Sequence, residues 1–375
     1  MRWWPGRRVR AERRAAILVP SLYPGDATGN DAVAMRDVLT ERGWDARLFA
    51  ESSDPALGAD SASAAQSYLE AAPSVAILHQ STQWPRGLRL LGVGRGARVV
   101  RDHNVTPARF FAGLSPAFEE ASVEGACHRR QLAGDARVDL FLPASRTNAE
   151  ELVALGAGPD RIAVVPPFHR IDDLVDLVPD EAALRRWTGG PTTALFVGRV
   201  APNKGHRRIL RVAAVFAELF GEALRVRFVG AQDPRLGSWQ RVLERDARRF
   251  GVEGMVEFLG KRTEAELKAA YLTSHVFLCC SEHEGFCVPL VEAGHLGCPV
   301  VAIHQPAIAE TLGRSGLVLV EPSDEVIAAA VRRVTVDAGV RERLVAGLRS
   351  EVLTRFSTKR IRQEFLDAVQ PLAAG

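Results

Sequence analysis

The stretch Ser281–Val301, SEHEGFCVPLVEAGHLGCPVV, decides the reading of this chain. The apolar run Val276–Cys280 before it reads as a strand. Gly285 is expected to make a tight turn, Pro289 to open a helix at its first position, and Gly297 with Pro299 to close it. A helix entered from such a loop presents free amide N–H groups and partial positive charge, suited to a phosphate. Glu284 falls in the loop and Glu292 eight residues on, inside the helix. An all-helical spacing would separate them by about 12 Å, more than the roughly 5–9.5 Å of a hydrolytic carboxylate pair. Two separate hydroxyl binders flanking a phosphate fit the spacing better. The plain alternative is one loop acid and one helix-surface acid.

A second constellation precedes it. Ala194–Gly198, ALFVG, reads as a short buried strand, followed by Arg199, the turn Pro202–Gly205 and a helix opening with His206-Arg207-Arg208. Cations at a helix N-terminus oppose its macrodipole, and a bound anion would relieve that conflict. Arg199 offers a planar fork and Lys204 a point charge, a pair suited to a diphosphate.

The segments FVGRVAPNKGHRRIL, SEHEGFCVPLVEAG with its Glu-x7-Glu spacing, and GCPVVA resemble the donor half of the GT-B glycosyltransferases of the large retaining family 4. The intervening VEFLGKRTEAELKAAYLTSHVFL is similar as well. The resemblance implies an α/β, GT-B architecture of two Rossmann-like, doubly wound parallel-sheet domains facing across a cleft. It implies a nucleotide-diphosphate sugar as donor, with a UDP or GDP sugar expected and no further cofactor. Arg199 and Lys204 would hold the diphosphate, Glu292 the ribose hydroxyls and Glu284 the transferred sugar, aided by the Gly285 and Phe286 amides.

The first half is similar more loosely. After the strand Ala16–Val19 comes the loop PGDATGND, in which Gly29 would meet the donor, although the family's usual glycine pair is replaced. In RVVRDHNVTPARFF, His103 ends an apolar strand and resembles a histidine that contacts the donor sugar near the reacting carbon. His79, ending Val75–Leu78, reads as structural.

At 375 residues the chain exceeds what one core usually supports, and its strands and helices alternate. The expected division is a basic arm (1–14), an acceptor-side domain (15–170), a linker (171–190), a donor domain (191–355) and a C-terminal helix packing back on the first domain (356–375). Strands are expected near Ala16, Ala46, Val75, Arg98, Val138 and Ile162, then near Ala194, Val226, Val256, Val276 and Val300. Ligands in such sheets bind beyond the strands' carboxyl ends, where all these motifs fall.

Net charge is only +3, but the first fourteen residues hold six Arg and one Glu and include Trp3 and Trp4. Such an arm suits a solvated terminus or peripheral contact with an anionic membrane. Nothing points to nucleic acid. The five cysteines show no paired metal spacing, and reduced thiols in a cytoplasmic enzyme are expected. No Asp-x-Asp follows a strand to chelate a nucleotide-bound metal, so a site without metal is expected. A dinucleotide oxidoreductase is disfavoured, because Gly92-Val-Gly94-Arg-Gly96 precedes its strand. A non-catalytic nucleotide-sugar or carbohydrate-binding scaffold of the same fold remains the alternative to a glycosyltransferase moving a hexosyl group to a carbohydrate, lipid-linked or small-molecule hydroxyl.

Overall fold

The computed structural model describes residues 13–71 and 74–373. Most of the expected basic arm, including Trp3, Trp4 and any membrane contact they make, lies outside the described residues. Arg14, assigned above to the arm, is the first residue of a strand.

Two six-stranded, wholly parallel sheets organise the chain. The first contains β1 (Arg14–Leu22), β2 (Asp45–Ser53), β3 (Asp60–Ser61), β4 (Val75–Gln80), β5 (Ala97–Asp102) and β6 (Leu140–Pro143), in the order β3-β2-β1-β4-β5-β6. The second contains β7 (Thr192–Val197), β8 (Leu224–Val229), β9 (Val256–Gly260), β10 (Val276–Cys279), β11 (Val300–Ile303) and β12 (Leu317–Leu319), in the order β12-β11-β10-β7-β8-β9. In both, the order reverses beside a central strand, which leaves a crevice at the carboxyl ends. The central strands are buried on both faces and read as continuous apolar runs, as parallel sheets covered by helices require.

Two details differ from expectation, and the linker has structure of its own. The edge strands β3 and β12 are too short to leave a periodic signal. Ile162 makes a single parallel bridge to Phe141 and no strand. The 171–190 segment contains two helices, Ile171–Asp176 and Glu181–Trp187. It is held by packing: Arg227 donates to the Trp187 carbonyl (3.1 Å), and Lys268 donates to the Leu177 carbonyl (2.7 Å).

One apolar cluster runs from the first sheet (Ile17, Val99) through Phe168 and Trp187 to the second (Phe277, Val300) and the C-terminal helix (Phe365, Val369). That helix, Thr358–Val369, sets Phe365 edge-on to Phe168 at 5.6 Å and pairs Arg362 with Glu41 of the first unit. Across the other side of the seam, Phe111 of the first unit is buried with Phe196, Ile209 and Leu236 of the second.

Gly205, in the left-handed region at φ 71°, joins the turn after β7 to the end of β10. A Cβ there would lie 1.9 Å from the Cys280 carbonyl oxygen. Gly205→Ala should therefore cost about 2–4 kcal/mol, seen as a lower thermal midpoint.

Candidate active site

The turn Pro202–Lys204 and the loop after β10 are sewn together by backbone. The Glu282 N–H donates to the Asn203 carbonyl (2.8 Å), and the Asn203 amide donates to the His283 carbonyl (3.1 Å). This registers Lys204 against Glu284, and the Lys204 ammonium donates to both carboxylate oxygens at 2.8 Å. Glu284 is 8% exposed. Burial opposes the charge on Lys204, but the Glu284 carboxylate outweighs it and raises the lysine above its ordinary value.

The helix after this loop, Val288–His295, begins one residue earlier than expected, so Pro289 is its second residue. Its entry is made by Cys287 at φ 76°, a left-handed conformation unusual for a side-chain-bearing residue. Gly285 does not take a left-handed turn. It is glycine because a Cβ would lie 2.6 Å from the His103 carbonyl oxygen and 3.2 Å from the Asn148 amide nitrogen, both in the first unit. Phe286 is buried edge-on against Phe356, with its carbonyl accepting from Thr311 at 2.7 Å. Glu292, farther along the helix, accepts from the Tyr271 hydroxyl at 2.7 Å. The two acids thus stand on separate supports.

His103 follows β5, its N–H donating to the Gln80 carbonyl. Its Nε2 lies 3.0 Å from His79 Nδ1 and 3.5 Å from Asp31 Oδ2. Asp31 also accepts from Arg101 Nε at 2.7 Å and from the Phe168 N–H at 2.7 Å. Burial, and secondarily the nearby Arg101 charge, push His103 well below the usual histidine range, so its imidazole is neutral. His79 is likewise pushed down by burial and by His103. Asp31, His79 and His103 bring potential ligand atoms within 4.8 Å of one another. The Arg101 guanidinium already donates to both Asp31 oxygens, at 2.7 and 3.3 Å.

Gly29 sits in the first turn of the helix Ala27–Glu41, and its N–H is taken by the capping Asp26 carboxylate at 3.2 Å. Arg199 is exposed, with its guanidinium 5.5 Å from the centre of the Phe118 ring of the first unit. Lys261, beyond β9, donates to the Pro24 carbonyl of the glycine loop at 2.7 Å.

His103 and Gly285 are therefore in contact across the seam, and Glu284 with Lys204 stands beside them. Glu292 lies farther along the helix, and Arg199 lies near Asp26, the cap of the helix that carries Gly29. Sequence reasoning did not single out Asp31, Arg101, Tyr271 or Glu310. Glu310 receives the Arg146 and Thr147 N–H groups at 2.8 and 3.1 Å, closing the start of the helix Arg146–Ala154 from the other unit. Thr263 and Glu266 form a capping box that marks the start of the helix bearing Tyr271, but no sequence signal marks the tyrosine's partner.

Residues 182–350 match the family described as Glycosyl transferases group 1. A D-inositol 3-phosphate glycosyltransferase of Stackebrandtia nassauensis is 33% identical over 227 residues, 56% of this chain and 49% of the relative, so the match spans about half that protein's length. Sucrose-phosphate synthase of Thermosynechococcus elongatus superposes with a TM-score of 0.77 at 16% identity, covering 97% of this chain and 100% of the other. Anabaena Alr3699/HepE, solved in complex with UDP-glucose, gives 0.76 at 16% identity, with 96% and 100% covered. The fold is that of the GT-B glycosyltransferases. Among the described residues no helix is long and apolar enough to cross a membrane.

Lys204→Met would leave Glu284 buried without its cation, costing about 2–4 kcal/mol at neutral pH. A lysine whose folded value is raised contributes stability that is complete below its ordinary value of 10.5 and lost as pH rises through the folded value. The stability gap between wild type and Lys204→Met, measured by urea unfolding, should be flat from pH 7 to about 9.5 and shrink above 10.5.

Proposed function

We propose that this chain is a retaining glycosyltransferase that moves a hexosyl group from a nucleotide-diphosphate sugar, a UDP or GDP sugar, to an acceptor hydroxyl. The observation that carries the reading is the convergence at one crevice of the Lys204–Glu284 pair with His103, brought in from the other sheet by the Gly285 contact. The group 1 family match over the donor half supports it. So does the fold shared with a protein solved in complex with UDP-glucose.

In this reading Arg199 and Lys204 neutralise the diphosphate as it leaves, helped by the helix start at Val288 and without a metal. Glu284 and the Gly285 and Phe286 amides orient the sugar, and Glu292 holds the ribose. His103, held neutral, offers hydrogen bonds to the sugar. The acceptor hydroxyl attacks the anomeric carbon on the face the diphosphate leaves. The C–O bond to phosphate breaks, the new glycosidic C–O bond forms, and the departing phosphate oxygen takes the acceptor proton. Gly29 meets the donor only where Asp26 yields the cap it now holds. The acceptor is a growing glycan, a lipid-linked carrier or a small metabolite, and the enzyme works in the cytoplasm, where the basic arm would make peripheral contact with the inner membrane surface.

The test is a thermal-shift panel of UDP, GDP, ADP and dTDP with and without magnesium, followed by turnover of the matching sugar nucleotides and NMR of the product anomer. One nucleotide should raise the midpoint without metal, Lys204→Ala should abolish that rise, and the donor's anomeric configuration should persist. Binding without turnover of any sugar nucleotide across an acceptor panel would favour the scaffold reading. An inverted product, or a covalent glycosyl-enzyme trapped in turnover, would overturn the same-face mechanism.

A further inference from the structure

Tyr271 lies on the helix Glu264–Leu272, outside the loops that carry the motifs, and is 1% exposed. Its ring lies nearly parallel to Phe277, with centroids 6.0 Å apart, which fixes the direction of the hydroxyl. That hydroxyl lies 2.7 Å from Glu292 Oε2 and 3.2 Å from the Pro289 carbonyl oxygen. A phenol has one proton, and the shorter contact to a carboxylate takes it. Among the described residues Glu292 Oε1 has no hydrogen-bond partner, so one oxygen is anchored and the other is left for a ligand. Burial raises the Glu292 carboxyl, and the Tyr271 hydrogen bond acts against that rise, favouring the ionised acceptor.

We infer that Tyr271 is a positioning residue that aims Glu292 at the ribose hydroxyls of a bound nucleotide and so sets the preference for ribose over a sugar lacking them. The inference rests on the nucleotide site proposed above. A flexible glutamate side chain, once tethered at Oε2, loses its alternative rotamers before the ligand arrives, and that ordering no longer has to be supplied by binding. Once a bound nucleotide covers Oε1, that acceptor is left unpaired when the ribose hydroxyl is missing, which is the source of discrimination. Without the phenol proton, Glu292 can turn Oε2 inward or take up a proton, and either change weakens the ribose contact alone.

The experiment is calorimetric titration of the full chain with UDP, GDP and ADP, then with the 2′,3′-dideoxy counterpart of whichever binds, repeated on Tyr271→Phe and Glu292→Gln. Tyr271→Phe keeps the ring and its packing. Its ratio of ribonucleotide to dideoxynucleotide affinity should fall roughly tenfold, with dideoxynucleotide affinity unchanged. Glu292→Gln should reduce the ratio at least as far. An unchanged ratio in Tyr271→Phe, or an equal weakening of both ligands, would overturn the inference while leaving the nucleotide site standing. No binding of any nucleotide to the folded wild type would overturn the site itself, and the Tyr271 role with it.

Discussion

The close approach of the Glu284–Phe286 loop to the His103 carbonyl and the Asn104 side chain is the constraint on which the rest of the crevice depends. Two parallel sheets can each place functional loops at their carboxyl ends, but the halves become one site only where their backbones touch. That contact requires no side chain at Gly285, whose Cβ would stand 2.6 Å from the His103 carbonyl oxygen. The partner surface is held as firmly. Asn104 takes φ 68°, and its side chain accepts from the Val105 N–H at 2.7 Å and donates to Asn148 and Glu151 at 3.0 Å each. Glu310 then pins the helix bearing Asn148 and Glu151 from the second unit. Among the described residues, two of the three non-glycine residues with left-handed backbone, Asn104 and Cys287, thus flank this contact.

Charge buried around this seam is compensated locally. Arg101 and Asp31 are both fully buried, and each makes further bonds: Arg101 to the Leu142 and Val165 carbonyls, Asp31 to the Phe168 N–H. Arg129 likewise forks onto Asp102 at 2.9 Å and reaches Glu151 at 2.6 Å. A buried pair of this kind contributes little net stability against an apolar substitute, but losing one partner is severe. Its structural effect is to tie the ends of β5 and β6, the start of the first helix and the crossover into one rigid floor. His79 and His103 rest on that floor as neutral imidazoles, where a freely solvated histidine would titrate near neutrality.

Much of this was legible in the sequence because the informative signals were local. Strand–glycine–helix units, Pro and Gly at helix boundaries and the order of the two donor segments each need only neighbouring residues, and they gave both sheets and the crevice between them. What was missed depends on partners far along the chain. Tyr271 and Glu292 are 21 residues apart, Asp31 and Arg101 are 70, and Glu310 and Arg146 are 164. A lone tyrosine on an apolar helix face gives no hint that its hydroxyl has a carboxylate to meet. The helices inside the 171–190 linker were not legible because its Pro, Asp and Gly mask the signal, while Ile171, Leu174 and Trp187 supply enough buried surface to fold it into two helices. Gly285 was chosen for a turn and is needed for a contact, a distinction composition does not carry.

The Lys204–Glu284 pair bears on how the proposed reaction would begin. With both carboxylate oxygens engaged by the ammonium, neither group presents its full charge to an approaching donor. A diphosphate drawing on Lys204 weakens the grip on Glu284 and releases that carboxylate to accept hydrogen bonds from sugar hydroxyls. Diphosphate alone would leave Glu284 buried with a weakened partner, and sugar alone would compete with an intact ion pair. An intact nucleotide sugar satisfies both groups at once, since it brings the anion and the hydroxyls on one molecule. In that proposed cycle, transfer would take the sugar off the carboxylate and let the pair close again, displacing the diphosphate from Lys204. In the proposed reaction the ion pair would couple recognition of the two halves of the donor through the energetic cost of leaving either buried charge unpaired.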